Sequence, residues 1–295
     1  MKKEFLPTNV ALLIILAFIW GSSYILMKRG LDSFSAVQVS MLRILFAFLA
    51  LLPFLPKAIK NFNKTDVKYA LVVAVLGSGL PSYLYPLAIT KVDSSVAGII
   101  NTLTPLFTLL FGWAFFQFKP TIFKVLGIIV ALAGAAILVL KNTGGSKLSL
   151  DAFALLAVLA TVCYGFSSNV LKSKLNHVKA AQLTSLTFAL IGPLALIILF
   201  STDFIEILKT DAKALMSLFY IGILGVIGTA LALVLFNYLI KRTDALYASS
   251  VTFFMPIIAM FWGFMDKEQI GLTHVIGFAL VLIGVYLTNR FQPNT

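Results

Sequence analysis

Charge is scarce in this chain. Only 12% of its 295 residues are Asp, Glu, Lys or Arg, and 60% are hydrophobic. A water-soluble domain carries about twice that share of charge, so the composition excludes a soluble protein and points to an integral membrane protein. Cysteine is scarcer still. The single Cys163 excludes an intramolecular disulfide and any multi-cysteine metal site, and its apolar neighbours make it a small packing residue. His177 and His274 lie near loop or helix ends and read as solvated side chains. With no acidic cluster beside them they form no metal site, and no glycine-rich phosphate loop is present. No metal and no cofactor are therefore expected. Asp and Glu are missing from the cores of the apolar runs, so the buried carboxylate that a proton relay or a cation-drug antiporter uses is missing too.

What is present is a series of apolar runs. A helix needs about 20 apolar residues to cross the hydrocarbon. Ten candidates lie near 9–27, 36–55, 69–89, 96–116, 125–140, 152–171, 181–200, 215–240, 247–265 and 272–288. Each must be helical, because a backbone in lipid has no water to satisfy it. Lys2 and Lys3 before the first run resemble the start of a signal peptide. The run continues to about Met27 without a small-residue cleavage pattern, so a retained helix is expected. The connections are short, which disfavours an extramembrane catalytic head.

The net charge is +12, yet the lysines fall in short gaps and form no basic cluster, so no nucleic-acid partner is expected. The lipid bilayer is the expected environment. With the N-terminus inside, the inner segments hold 14 Lys and Arg and the outer loops 8, and the acidic residues divide 3 inside to 8 outside. Both termini are thus expected on the cytoplasmic side.

The two halves of the chain echo each other. At an offset of 151 residues, Gly77 meets Gly228, Asp93 meets Asp244, Pro105 meets Pro256, Gly112 meets Gly263 and Gln117 meets Glu268. Earlier in each half the offset is 144, where Gly21 meets Gly165, Lys28 meets Lys172 and Gln38 meets Gln182. Residues 1–145 and 146–295 therefore read as two five-helix repeats forming one membrane domain. Five is odd, so the second repeat enters the membrane in the opposite sense. Inverted repeats of this kind are a frequent plan of secondary transporters, with the substrate at the repeat interface near interrupted helices.

The stretches "FIWGSSYILMKRGL", "LRILFAFLALLP" and "SSVAGIINTLTPLFTLLFGW" resemble the EamA-type members of the drug/metabolite transporter superfamily. "SSVTFFMPIIAMFWGFMDKEQIG" and "IGFALVLIGVYL" carry the same pattern in the second half. The resemblance covers essentially the whole chain. It implies an all-α fold of ten transmembrane helices in two inverted repeats, and export or exchange of small metabolites, often amino acids. Exporters of the YddG type are the nearest functional model. Members commonly carry Glu after the fourth helix of each half; here Glu268 keeps it and the first half has Gln117.

Few polar residues lie inside the spans, and these are the candidates for a substrate cavity. Trp20, Ser23 and Tyr24 follow Gly21, and Tyr164 and Ser168 occupy the corresponding stretch of the sixth helix. Tyr83 and Tyr85 are in the third helix and Asn237 in the eighth. Asn101 and Thr104 precede the breaker Pro105, and Thr252 and Phe253 precede the breaker Pro256. Rings would cradle an apolar portion of a substrate, and hydroxyls and amides its polar ends. Ser and Thr also bond back to their own helix, and Trp and Tyr near span ends also form interfacial belts. Arg43 is the one charge well inside a span. It either serves the pathway, or snorkels outward, or pairs with Asp93. Gly222, Gly225 and Gly228 recur every three residues and read as a close-packing face, as do Gly127, Ala131 and Gly134.

The expected function is a carrier moving a small metabolite, most simply an amino acid, outward by alternating access, acting as a monomer in a bacterial plasma membrane. A weakly selective channel is the alternative. No catalytic dyad is found, so an enzyme is not expected.

Overall fold

A computed structural model describes residues 6–116, 121–143, 147–150, 152–268 and 271–290. Among these residues, eight helices are long and apolar enough to cross a membrane. They are α1 (Pro7–Gly30), α2 (Ala36–Asn61), α3 (Lys64–Ile89), α4 (Ser94–Phe115), α6 (Ala152–Lys174), α7 (Ala180–Phe200), α8 (Ala214–Arg242) and α9 (Ala245–Met265). Two further helices, α5 (Ile122–Val139) and α10 (Leu272–Arg290), close the two halves. Between the halves lies a small antiparallel hairpin, β1 (Leu140–Thr143) on β2 (Lys147–Leu150), with Leu140 opposite Leu150.

Local chemistry sets several of these boundaries. Pro7 starts α1, where its missing N–H costs nothing. Ser35 begins α2 with a reciprocal cap: its Oγ accepts from the Gln38 amide, and Gln38 Oε1 accepts from the Ser35 amide. The Gln38 side-chain amide then donates to Asp203 Oδ1 at 2.8 Å, tying α2 to the end of α7. Asn63 and Asp66 cap α3 in the same way, and Asp66 also meets the exposed His177 at 3.2 Å.

The helices pack as α2 on α7, α4 on α6, α3 on α6, α1 on α9 and α5 on α10. A Cβ at Gly284 of α10 would lie 2.4 Å from the backbone of both Gly127 and Ala131 of α5, so these small residues hold two backbones in contact. Gly225 likewise abuts Phe46 of α2. Gly222 does not: a Cβ there would meet nothing within 4 Å. The expected close-packing face on α8 therefore stops short of Gly222. Large apolar side chains such as Ile14, Ile197, Leu215 and Phe219 lie on the outside, as the apolar solvent of a bilayer requires. Polar side chains gather inside instead, Thr102, Thr104, Thr184, Ser185 and Asn237 among them.

Candidate functional site

Two helices are interrupted at matching places. α4 is α-helical through Ile100, tightens to a 3-10 turn over Asn101–Leu103 and resumes at Thr104, with Pro105 in its first turn. In α9 a 3-10 turn spans Ser250–Phe253, and the helix resumes at Met255 with Pro256. Proline has no N–H to complete the preceding turn, which explains both breaks. The two tight turns touch. Asn101 is held there by the Thr104 hydroxyl, which donates to its Oδ1 at 2.9 Å.

A second matched pair of irregularities was not visible in the sequence. α3 widens to a π turn over Val75–Gly79, and α8 does so over Val226–Leu231. Their first residues are 151 apart. Each π turn brings a glycine against the first helix of the other half. A Cβ on Gly77 would lie 2.4 Å from Ser167 Oγ, and one on Gly228 would lie 2.9 Å from Ser23 Oγ. Ser23 and Ser167 are themselves 144 apart.

These breaks and turns surround a central cavity of about 80 Å³, room for several water molecules. Trp20, Ser23, Tyr24, Asn101, Thr104, Tyr164, Ser168, Asn237, Thr252 and Arg43 all line it. Trp20 is no interfacial anchor, since its Nε1 donates to the Gly228 carbonyl at 3.0 Å inside the bundle. Its ring meets Phe236 edge-on with centroids 5.0 Å apart. The corresponding ring Tyr164 stacks on Tyr85, with centroids 6.2 Å apart. Asn237 donates to the Thr184 hydroxyl at 3.0 Å. Ser23 and Thr252 bond back to carbonyls of their own helices.

Two expected residues fall elsewhere. Tyr83 lines a separate recess beside Lys28, Leu31 and Asp32. Two positions on a helix point about 200° apart, so Tyr85 faces the cavity and Tyr83 turns away. Phe253, one residue past Thr252, packs against Leu282 of α10. Pro105 and Pro256 are buried beside the cavity without lining it. Gln117 lies outside the described residues. The lining residues missed in the sequence include Phe236, Ser78 and Thr229. Superposing the halves would have found them, because Tyr85 pairs with Phe236 and Ser78 with Thr229 at the offset of 151, and all four line the cavity.

Arg43 neither snorkels nor pairs with Asp93. It is 7% exposed, and its Nε donates to Thr229 Oγ1 at 2.7 Å. The Thr229 hydroxyl in turn donates to the Leu224 carbonyl at 2.9 Å, a reach of five residues along the π turn. Arg43 Nη1 has the Met27 thioether at 3.9 Å, and the Tyr164 hydroxyl faces the guanidinium. Among the described residues no carboxylate lies within 4.0 Å of it.

Charge collects at one end of the bundle instead. Lys28 at the end of α1 meets Asp266 at 2.6 Å and Glu268 at 2.8 Å, and Arg29 bonds Asp266. Glu268 also accepts from the Ser94 hydroxyl at 2.7 Å and from the Ser94 and Ser95 amides at the start of α4. Burial pushes its carboxyl upward, but the bonds from Lys28, Ser94 and Ser95 outweigh that and pull it down to about 2. The repeat partner of Lys28 is treated differently. Lys172 donates to the Ile240 and Thr243 carbonyls at the end of α8, at 3.0 and 2.6 Å.

Comparison with known proteins places this architecture. The EamA-like transporter family matches residues 8–140 and again residues 152–290. The chain is 22% identical over 283 residues to the uncharacterized transporter YoaV of Bacillus subtilis, covering 93% of this chain and 94% of that one. It is 26% identical over 274 residues to an uncharacterized transporter of Archaeoglobus fulgidus, covering 92% and 95%. With the uncharacterized inner membrane transporter YedA of Escherichia coli it shares 26% over 301 residues, covering 97% and 94%. A crystal structure of another protein superposes with a TM-score of 0.67 at 14% identity, over 95% of this chain and 96% of that one.

Proposed function

Because this chain belongs to the EamA-like transporter family, we propose that it is a secondary transporter carrying a small metabolite, an amino acid in the first instance, outward by alternating access through the central cavity. In this reading residues 1–145 and 146–295 are two inverted repeats of five spans each. α5 and α10 complete ten spans, both termini are cytoplasmic, and the membrane is a bacterial plasma membrane.

The observation that carries the proposal is the matched construction of the cavity from both halves. Equivalent helices break beside it, equivalent π turns flank it, and equivalent ring pairs line it. A cavity shared by two like halves can open toward either side by rocking one half against the other. Rings supply an apolar wall, and hydroxyls, amides and one guanidinium supply polar contacts, as a small polar metabolite requires.

The test is counterflow in proteoliposomes, with labelled amino acids outside and unlabelled ones inside. A carrier gives saturable uptake that internal substrate stimulates. Flux that rises linearly with concentration and ignores internal substrate would establish a channel instead.

A further inference from the structure

We infer that Arg43 is the anion-binding subsite of this cavity, and that the solute it selects is a small organic carboxylate whose amino group is dispensable. The inference rests on the carrier reading for its route across the membrane, but not for the binding itself.

The guanidinium is deeply buried and built in place. Thr229 Oγ1 accepts from Nε at 2.7 Å, and the π turn orients that hydroxyl by having it donate to Leu224. One edge of the fork is thereby fixed; Nη1 has a thioether, a weak acceptor, at 3.9 Å, and the Tyr164 hydroxyl that also faces the guanidinium is neutral. A buried charge without an opposite partner is costly, and within a membrane it marks a functional position. The acids at the end of the bundle are engaged elsewhere: Asp266 and Glu268 hold Lys28, Arg29 and the start of α4. The missing counter-charge is the one a carboxylate supplies, and the planar fork suits its two oxygens.

The rest of the lining argues against recognition of an ammonium. Its polar groups are hydroxyls and amides, with no Asp or Glu among the lining residues. Two of the acceptors each already take one hydrogen bond: Asn101 Oδ1 from Thr104 and Thr184 Oγ1 from Asn237. The Tyr85 hydroxyl, 2% exposed and without a well-formed hydrogen bond, adds a donor rather than a negative charge. Such a cavity rewards the carboxylate of an amino acid and is indifferent to its amine.

The test compares analogues on the purified full-length protein. One series is L-phenylalanine, 3-phenylpropionate, phenethylamine and phenylalaninamide; a second is L-leucine with its deaminated and decarboxylated analogues. Thermal stabilisation in detergent measures binding without transport, and competition in counterflow measures transport. The expected result is that both carboxylates of a series bind within about threefold of each other, and that amine and amide bind at least tenfold more weakly. Arg43→Gln should erase the preference, and Arg43→Lys should keep part of it. Thr229→Val leaves the charge in place and guards against misfolding of the Gln variant; it should weaken carboxylate binding several-fold. Equal binding of phenethylamine and 3-phenylpropionate would overturn the inference and leave the carrier standing. So would failure of every carboxylate to stabilise the protein. Carboxylate binding without counterflow would keep the subsite and remove the carrier.

Discussion

Glu268 closes the start of a helix in the other half of the chain: its Oε1 accepts from the Ser94 hydroxyl at 2.7 Å and from Lys28 Nζ at 2.8 Å. One carboxylate thus ties together α1, α4 and the segment after α9. Replacing it by Gln keeps an accepting oxygen but removes the charge that Lys28 faces, while Asp266 remains for Lys28. Glu268→Gln should lower stability by about 1–3 kcal/mol, read as a fall in Tm in detergent.

The same carboxyl fixes a pH window. Its folded value is about 2 against an ordinary 4.5, so its contribution to stability is complete above about 4.5 and is lost as the pH falls toward 2. The Tm gap between the wild type and Glu268→Gln should be constant from pH 8 to 5 and shrink at pH 3. A gap that persisted at pH 3 would contradict the assignment.

Tyr83 and Tyr85 should separate cleanly. Tyr85→Phe removes a buried hydroxyl that lacks a well-formed hydrogen bond, so stability should hold or rise by up to about 1 kcal/mol. The substrate concentration for half-maximal counterflow should rise, because that hydroxyl faces the cavity. Tyr83→Phe should leave counterflow within about twofold, since its ring lies in another recess.

Glycine substitutions discriminate contact from spacing. A Cβ at Gly165 would lie 2.7 Å from the backbone of Phe107 and Thr108, where nothing can rotate aside. Gly165→Ala should therefore cost about 1–3 kcal/mol. Gly222→Ala meets open space and should be neutral or stabilising by up to about 1 kcal/mol. Melting curves of the two variants side by side decide the point.

Orientation can be checked with single cysteines, because only Cys163 must first be replaced. In a Cys163→Ala background, an impermeant maleimide should label Lys91→Cys and Lys209→Cys in intact cells. Lys60→Cys and Lys179→Cys should label only after permeabilisation. The opposite pattern would invert the proposed topology.

Much of this arrangement could be read from residue types alone, and the reason is local. Pro105 and Pro256 announce helix breaks because a missing N–H acts at its own position. Asn101 is legible as an amide beside such a break. Tyr83 and Tyr85 were not told apart, and Thr229 was missed, because α3 and α8 are not uniform helices. The π turn at Val75–Gly79 shifts the phase of everything after it, so a count at 3.6 residues per turn gives no secure facing for the residues ahead. Thr229 sits inside the other π turn, where its hydroxyl reaches a carbonyl an ordinary helix would not offer. The packing of Gly222 depended on which neighbour stood opposite, and spacing along one helix carries no record of that.

The matched π turns have one more consequence. Each holds a residue in excess of an α-helical turn, a quantum of slack in an otherwise taut rod. Rewinding either turn to α-helix would expel that residue toward one end, turning the far segment by about 100° and shifting it by about 1.5 Å. Tyr85 lies beyond the first turn and Phe236 beyond the second, so each rewinding would unseat one ring pair and leave the other in place. On that geometry the halves would move by separate, indexed adjustments rather than by a continuous bend.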